Sequence, residues 1–215
     1  MTLLAGPGMQ RKSSSSAISP ATDSGCRIWL DGVGCWLLWF RDILPIGRKE
    51  PTARDNHAGA YRLCFDEALD REPIHWGRTG TVEWIDADRD CRLNEEQQPG
   101  RTPLHGPTGI QLAPELFLEW NRPSPLSPSS VLQFRNRRSL DHVDGVILFQ
   151  QSCLIGPVES CHIAAELWQC VWLLFAQAQG LWIRPRTAAA TEAHLVFDQQ
   201  ILTLDDWRVR FERVS

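Results

Sequence analysis

The sequence predicts an all-β protein built from antiparallel β-sandwiches. Three observations support this fold class: hydrophobic residues alternate at a period of two in short runs, turn-forming residues separate these runs, and few stretches repeat at the helical period of about 3.6. The clearest run places Trp207, Val209 and Phe211 on one side of a strand and Arg208 and Arg210 on the other. With 43% hydrophobic residues in 215, the chain has enough apolar side chains to build a core.

The first element in chain order is an N-terminal segment, residues 1–25. In it, four consecutive serines follow Arg11 and Lys12 among glycine, proline and small residues. Such a segment has too little apolar surface to offset the conformational entropy that ordering costs. We therefore expect residues 1–25 to form a disordered tail.

Residues 26–120 are expected to form a first sandwich domain. Short alternating runs that indicate strands lie at 28–30, 81–85 and 116–120. Turn signals that contain glycine lie at 31–32, 77–80 and 106–109. This order of runs and turns is typical of antiparallel hairpins.

Residues 121–130 are expected to form a stiff linker, because three prolines and four serines occupy its ten positions. It leaves a second segment, residues 131–215, which is long enough for another small sandwich domain. Residues 164–178 could form a helix, although residues 170–175 fit a buried strand equally well. Periodicity does not separate these two alternatives.

The two segments resemble each other. Residues 38–47 match residues 147–156 without a gap, both matches end in Ile-Gly, and an Asp-Gly-Val triplet precedes each of them. Residues 110–120 parallel residues 202–211 with a slip of one residue. A tandem pair of similar sandwiches explains both matches, and chance likeness between two strand-turn-strand units is the alternative.

The charge balance argues against two classes of partner. The chain has 22 Lys and Arg against 26 Asp and Glu, so its net charge of −4 gives no electrostatic reason to bind nucleic acid or an anionic membrane. Its longest apolar runs, 36–40 and 170–176, are far shorter than the roughly 20 residues of a spanning helix. Since no apolar secretion signal is visible, we expect a cytoplasmic protein.

Cysteine spacing argues against disulfides and against zinc. The seven cysteines are an odd number and contain no Cys-x-x-Cys pair, so reduced and mostly buried thiols are expected. Cys161, His162 and Cys170 could be proposed as zinc ligands, but their spacing is not typical of a zinc site and no fourth ligand accompanies them. We therefore expect no metal at these residues.

No motif indicates catalysis. The six histidines are scattered, and neither a Gly-x-Ser-x-Gly elbow nor a glycine-rich phosphate loop occurs. Residues 86–90 carry alternating carboxylates like those of a calcium loop, but Cys91 stands at the glycine position and Gln97 at the bidentate position. A polar hairpin tip is the favoured interpretation of this run.

Several short motifs occur in an order that points to one family. Residues 46–48 read Ile-Gly-Arg after a strand, residues 70–71 read Asp-Arg, residues 93–94 read Leu-Asn, and apolar alternation closes the segment at 110–112 and 116–118. This order resembles the forkhead-associated domain family, where a strand ends in Gly-Arg, a loop carries Ser-Arg-x-His-Ala and a later loop carries Asn-Gly. The whole chain resembles planctomycete-type tandem proteins of this family, with a shortened second copy. The resemblance implies two sandwiches in tandem whose loops, at one end, bind phosphothreonine peptides.

Carried over residue by residue, the resemblance assigns phosphopeptide binding to Arg48, Asp70, Arg71 and Asn94. The two arginines would pair with phosphate oxygens, because a guanidinium offers two parallel N–H donors. Asn94 would contact the main chain of the peptide through its amide.

This chain departs from the family pattern at three positions. Asp70 replaces the serine that would donate to phosphate, Pro73 replaces the histidine, and Glu95 replaces the glycine after the asparagine. A carboxylate about 4 Å from a unit negative charge costs about 4 kcal/mol at an effective dielectric constant of 20, so Asp70 weakens the site. In the second copy Gly156 precedes Pro157 instead of arginine, which favours a structural role for that copy.

The sequence therefore predicts a non-catalytic protein–protein interaction module. Its partner would be a protein or a phosphothreonine peptide in Ser/Thr kinase signalling, bound weakly and without a cofactor. The alternative is a structural or self-associating subunit that binds no phosphopeptide, and an enzyme is the least favoured class.

Overall fold

The structure is a computed structural model. It describes residues 16–48, 63–65, 74–87, 91–135, 142–187, 193–204 and 206–214. Within these residues the chain forms twenty strands and no helix, so the all-β prediction is confirmed. No helix in this part of the chain is long and apolar enough to cross a membrane.

Eleven strands come from the first half of the chain. They are β1 (Gly25–Leu30), β2 (Gly34–Trp39), β3 (Ile43–Arg48), β4 (Leu63–Phe65), β5 (Ile74–Thr79), β6 (Val82–Ala87), β7 (Arg92–Leu93), β8 (Glu96–Gln97), β9 (Gly100–Pro103), β10 (Thr108–Ala113) and β11 (Leu116–Asn121).

Nine strands come from the second half. They are β12 (Ser130–Phe134), β13 (Gly145–Leu148), β14 (Ser152–Gly156), β15 (Ile163–Ala164), β16 (Trp172–Gln177), β17 (Gly180–Pro185), β18 (His194–Leu195), β19 (Ile201–Leu204) and β20 (Trp207–Val214). The stretch that sequence periodicity left open between helix and strand contains β16.

The strands form three sheets. A central sheet of ten strands has the order β19-β20-β1-β2-β13-β12-β11-β10-β7-β8. The first outer sheet has the order β4-β3-β5-β6-β9, and the second outer sheet has the order β15-β14-β16-β17-β18. Each outer sheet covers a different face of the central sheet, because neighbouring residues of β2 point into two different cores.

The two cores lie on opposite faces of the central strands. The first core, under the first outer sheet, contains Leu37 of β2 and Val146 of β13. The second core, under the second outer sheet, contains Leu38 of β2 and Ile147 of β13. Both faces of β2 and β13 are therefore buried, and these two strands join the two sandwiches.

The two halves repeat the same pattern of strand pairing. β3 pairs parallel to β4 and antiparallel to β5, as β14 pairs with β15 and β16. The β5–β6–β9 and β10–β11 ladders likewise have counterparts in β16–β17–β18 and β19–β20. Gly47 and Gly156, which the sequence comparison matched, occupy corresponding places in β3 and β14. Among the described residues, β7 and β8 have no counterpart in the second half, which is therefore the shorter one.

Each half completes the sandwich of the other. β1 pairs with β20, and Ile28 of β1 packs in the second core with Phe211. β12 pairs with β11, and Leu132 of β12 packs in the first core with Leu118. The two sandwiches expected at 26–120 and 131–215 are not self-contained, because three hydrogen-bonded ladders, β1–β20, β2–β13 and β11–β12, cross the predicted division.

The proline-rich segment 121–130, expected to be a stiff linker, is packed against the second half. Asn121 lies in β11 and Ser130 in β12. Ser127 and Ser129 are buried and donate through their hydroxyls to the carbonyl oxygen of Ser152. Two serines of the segment therefore satisfy a buried backbone group.

The prediction of a disordered tail over residues 1–25 is wrong for residues 16–25, which are ordered. Ile18 is fully buried, and Ala17 forms a bridge with Phe197. Arg213 of β20 also donates to the carbonyl oxygens of Ser16 and Ala17. These contacts hold the segment against the second half, and residues 1–15 lie outside the described part.

Candidate functional site

Four strand ends meet at one end of the first outer sheet, which we call the β3 end. β3 finishes there at Arg48 and β4, parallel to it, at Phe65, opposite Arg48 in the ladder. β5 starts there at Ile74, and β6 finishes there at Ala87. Three connections, residues 49–62, 66–73 and 88–90, therefore leave this end of the sheet.

Arg48 lies at this end of the sheet, and Asp70 and Arg71 belong to one of these connections. Arg48 is the last residue of β3, and its backbone pairs with Phe65. Asp70 and Arg71, together with Pro73, lie outside the described residues, in the segment that joins the end of β4 to the start of β5. The chain topology thus connects three of the four predicted residues to the same end of the first sandwich.

Asn94 lies elsewhere. It occupies the turn between β7 and β8 with a φ of 49°, and its side-chain oxygen accepts a 2.8 Å hydrogen bond from the backbone N–H of Gly109. Gly109 stands near the start of β10, at the end of the sandwich where Arg122 contacts the β5–β6 turn through Thr81. Asn94 is therefore not brought together with Arg48, and its side-chain oxygen holds a hairpin.

A buried carboxylate occupies this opposite end. Glu83 of β6 is 1% exposed, and its oxygens accept hydrogen bonds from Trp120 at 2.8 Å, from Arg122 at 3.0 and 3.3 Å, and from the hydroxyl of Ser130. These donors come from β11, the connection and β12. Glu83 thus joins the first outer sheet to the central sheet at the point where the chain passes from one half to the other.

The corresponding place in the second half is apolar. The paired ladders align Glu83 with Leu181, Trp120 with Phe211 and Ser130 with Cys26, all of which are fully buried. One fold therefore holds two versions of the same junction, one polar and one apolar. Glu83 was not singled out from the sequence, because no signal in its neighbourhood marks it as buried.

The end of the second half that corresponds to the β3 end has a shorter connection. Only six residues, 157–162, join β14 to β15, against fourteen, 49–62, between β3 and β4. Cys161 and His162 of this connection are buried, whereas residues 157–159 are exposed. Gly156 fits closely against Val171, since a Cβ at Gly156 would lie 2.9 Å from its Cα. This end therefore differs from the β3 end in the length and packing of its connection.

His162 is held by two backbone groups. Its Nδ1 accepts a 3.0 Å hydrogen bond from the N–H of Leu154, and its Nε2 lies 3.2 Å from the carbonyl oxygen of Ser129. Both contacts are satisfied by the neutral ring with its proton on Nε2. Burial lowers the pKa of His162 to about 4, because the imidazolium would lose its solvation, although the bond to Ser129 opposes this shift.

The described residues hold no constellation for a metal. No group of three His, Cys, Asp or Glu side chains within them is arranged to bind an ion. Burial raises the pKa of the Cys153 and Cys161 thiols, which disfavours the thiolate that zinc would need. Within the acidic run, Asp86 forms an ion pair with Arg101, while Asp88 and Asp90 lie outside the described part.

A groove of about 560 Å³ follows the edge of the second outer sheet. Trp36, Asn121 and Gln133 of the central sheet and Glu159 and His162 of the second half line it. The indole N–H of Trp36 and the amide oxygen of Asn121 have no hydrogen-bond partner among the described residues, but both atoms are shielded from solvent. The groove therefore offers neither of these two atoms to a ligand.

Comparisons with protein-family models, curated proteins and solved structures find no match to this chain. Function must therefore be inferred from the residues at the strand ends and from the geometry that connects them.

Proposed function

We propose that this chain is a non-catalytic protein–protein interaction module of the forkhead-associated type, with its binding edge at the β3 end of the first half. The observation that carries the proposal is the convergence of β3, β4, β5 and β6 at that end. Arg48 ends β3 there, and the connection between β4 and β5 carries Asp70 and Arg71. Function on loops held by a rigid sandwich is a common arrangement for binding proteins.

The charges at this edge suit a phosphorylated peptide only in part. Arg48 and Arg71 offer two guanidinium groups, and each charge-assisted hydrogen bond to phosphate contributes about 1.5 to 3 kcal/mol. Asp70 opposes them, because a carboxylate beside a phosphate of nearly two negative charges is repulsive. The native partner is therefore a weakly bound phosphothreonine peptide or an unmodified protein segment.

The proposal leaves out Asn94 and the second half. Asn94 holds Gly109 at the other end of the sandwich, and Pro157 stands where the first half has Arg48. The second half then acts as a support for the first, and one chain offers one binding edge.

Replacing Asp70 with serine is expected to strengthen binding of a phosphothreonine peptide at least tenfold, or about 1.4 kcal/mol. The change removes a like charge and supplies a hydroxyl donor. Adding Arg48→Ala should abolish the gain, since it removes the main phosphate partner. Fluorescence anisotropy with a phosphothreonine peptide library and its unphosphorylated counterpart measures both effects.

Arg208→Ala is a matched control, because Arg208 of β20 is exposed and pairs with Asp31 of the β1–β2 turn, away from the β3 end. It should leave peptide affinity unchanged. If folded Asp70→Ser protein binds no better than the wild type, the β3 end is not a phosphopeptide site. The structural-subunit alternative would then replace this proposal.

A further inference from the structure

The two halves meet along a parallel seam between β2 and β13. Its register pairs Trp36 with Gly145, Leu37 with Val146 and Leu38 with Ile147. Asp144 extends the contact, because its carboxylate accepts a 2.8 Å hydrogen bond from the N–H of Cys35 and its own N–H donates to the carbonyl oxygen of Cys35 at 2.7 Å. The seam is flanked by two antiparallel ladders that also join the halves, β1–β20 and β11–β12.

The seam has approximate twofold symmetry. Leu37 faces the core under the outer sheet of its own half, and Ile147 does the same in the second half. Leu37 therefore corresponds to Ile147, Trp36 to Val146 and Cys35 to Gly145. The gap-free sequence match, which aligned residue 38 with residue 147, is one residue out in these two strands.

The corresponding contacts on the two faces of the seam differ in size. On one face the ring of Trp36 lies against Gly145, where a Cβ would approach three ring atoms at 2.4 to 2.9 Å. On the other face the corresponding residues are Val146 and Cys35, both buried in the first core. Trp36 requires glycine at position 145, whereas the corresponding positions on the other face hold two side chains of moderate size.

This asymmetry distinguishes like from unlike partners. If a second copy of the first half took the place of the second half, Cys35 of that copy would stand where Gly145 stands. Its Cβ would then overlap the ring of Trp36, and overlap below 3 Å in a packed core is strongly unfavourable. The second half, with Gly145, avoids this overlap.

We propose that each half is an interaction surface whose partner is the unlike half of this chain, selected by the Trp36–Gly145 pair. The connection between β11 and β12 serves to keep the halves on one chain and is not needed to hold them together. This inference concerns the seam and does not depend on the proposed binding edge.

The test uses the full chain with a protease recognition sequence inserted between Pro125 and Leu126. Leu126 is 76% exposed in a turn, so the insertion meets little packing. After cleavage of the folded protein, the two fragments should stay together at the mass of one chain in size exclusion and native mass spectrometry. After unfolding and refolding they should reassemble as a 1:1 unlike pair.

Separation of the fragments in native buffer at micromolar concentration would overturn the proposal, and so would reassembly into pairs of identical fragments. The uncleaved insertion protein is the control for folding.

The selecting pair is tested in the uncleaved chain with Gly145→Ala and Trp36→Val. Gly145→Ala should lower the unfolding midpoint steeply in the wild type, because the new Cβ meets the Trp36 ring. In the Trp36→Val background the same change should increase the unfolding equilibrium constant by a factor at least tenfold smaller, because the tryptophan ring is absent. Equal costs in both backgrounds would show that the pair does not set the fit.

Discussion

Replacing Glu83 with alanine is expected to lower the free energy of unfolding by about 2 to 6 kcal/mol, because two buried donors lose their acceptor at about 1 to 3 kcal/mol each. The substitution leaves the indole N–H of Trp120 and the hydroxyl of Ser130 without their acceptor in a buried site. It also leaves the Arg122 guanidinium with the Thr81 carbonyl as its remaining partner at 2.9 Å. Urea unfolding followed by tryptophan fluorescence and circular dichroism measures the loss.

The second half supplies the control for this prediction. A triple variant, Glu83→Leu with Trp120→Phe and Ser130→Cys, copies the residues found at the corresponding junction there. It should recover most of the stability, because a buried ion pair can be replaced by apolar residues of similar volume at little cost. A loss below about 1 kcal/mol for Glu83→Ala would contradict the role given to this carboxylate.

Stability is expected to fall by about 3 kcal/mol as the pH drops from about 6.5 to about 4, because of His162. Burial holds the pKa of His162 at about 4 in the folded state, against an ordinary value of 6.5. Between these values the unfolded chain binds the proton and the folded chain does not. The stabilisation is therefore complete above pH 6.5 and is lost as the pH falls toward 4.

Urea unfolding at a series of pH values checks this, with His162→Gln and His194→Gln compared against the wild type. His162→Gln should flatten the slope between pH 4 and 6.5, whereas His194→Gln should keep it, because His194 is exposed. A wild-type slope that survives in the folded His162→Gln variant would assign the titration to another group.

The strands with one solvent-exposed face were predictable from the sequence. Trp207, Val209 and Phe211 alternate with two arginines because one face of β20 packs and the other is solvated, as in any half-buried strand. β2 and β13 are buried on both faces, so they lack this alternation and carry no sign of their neighbours. The pairing of β2 with β13 joins residues more than a hundred positions apart. The same set of predicted strands is compatible with two separate sandwiches and with the interlocked pair, so local patterns do not distinguish them.

The candidate site was also predictable from the sequence only where local patterns determine it. The position of Arg48 at a strand end follows from the Ile-Gly-Arg motif and from local alternation. The position of Asn94 depends on which sheet contains β7. β7 pairs with β10 of the central sheet, and there the side-chain oxygen of Asn94 accepts from Gly109, fifteen residues further along the chain. Glu83 was not predicted to be buried, because a carboxylate in an alternating strand is typical of a solvent-facing position. Its burial depends on three donors from β11, the connection and β12, which only the folded chain brings together.

The most direct test of the proposed binding edge is a titration of the Asp70→Ser protein with a phosphothreonine peptide, followed by backbone amide chemical shifts. We expect the largest changes in amide chemical shift at Gly47, Phe65, Ile74 and Ala87, which are described residues at the β3 end. Shifts that cluster instead at Gly109 and Asn94, or at Gly156 in the second half, would contradict it.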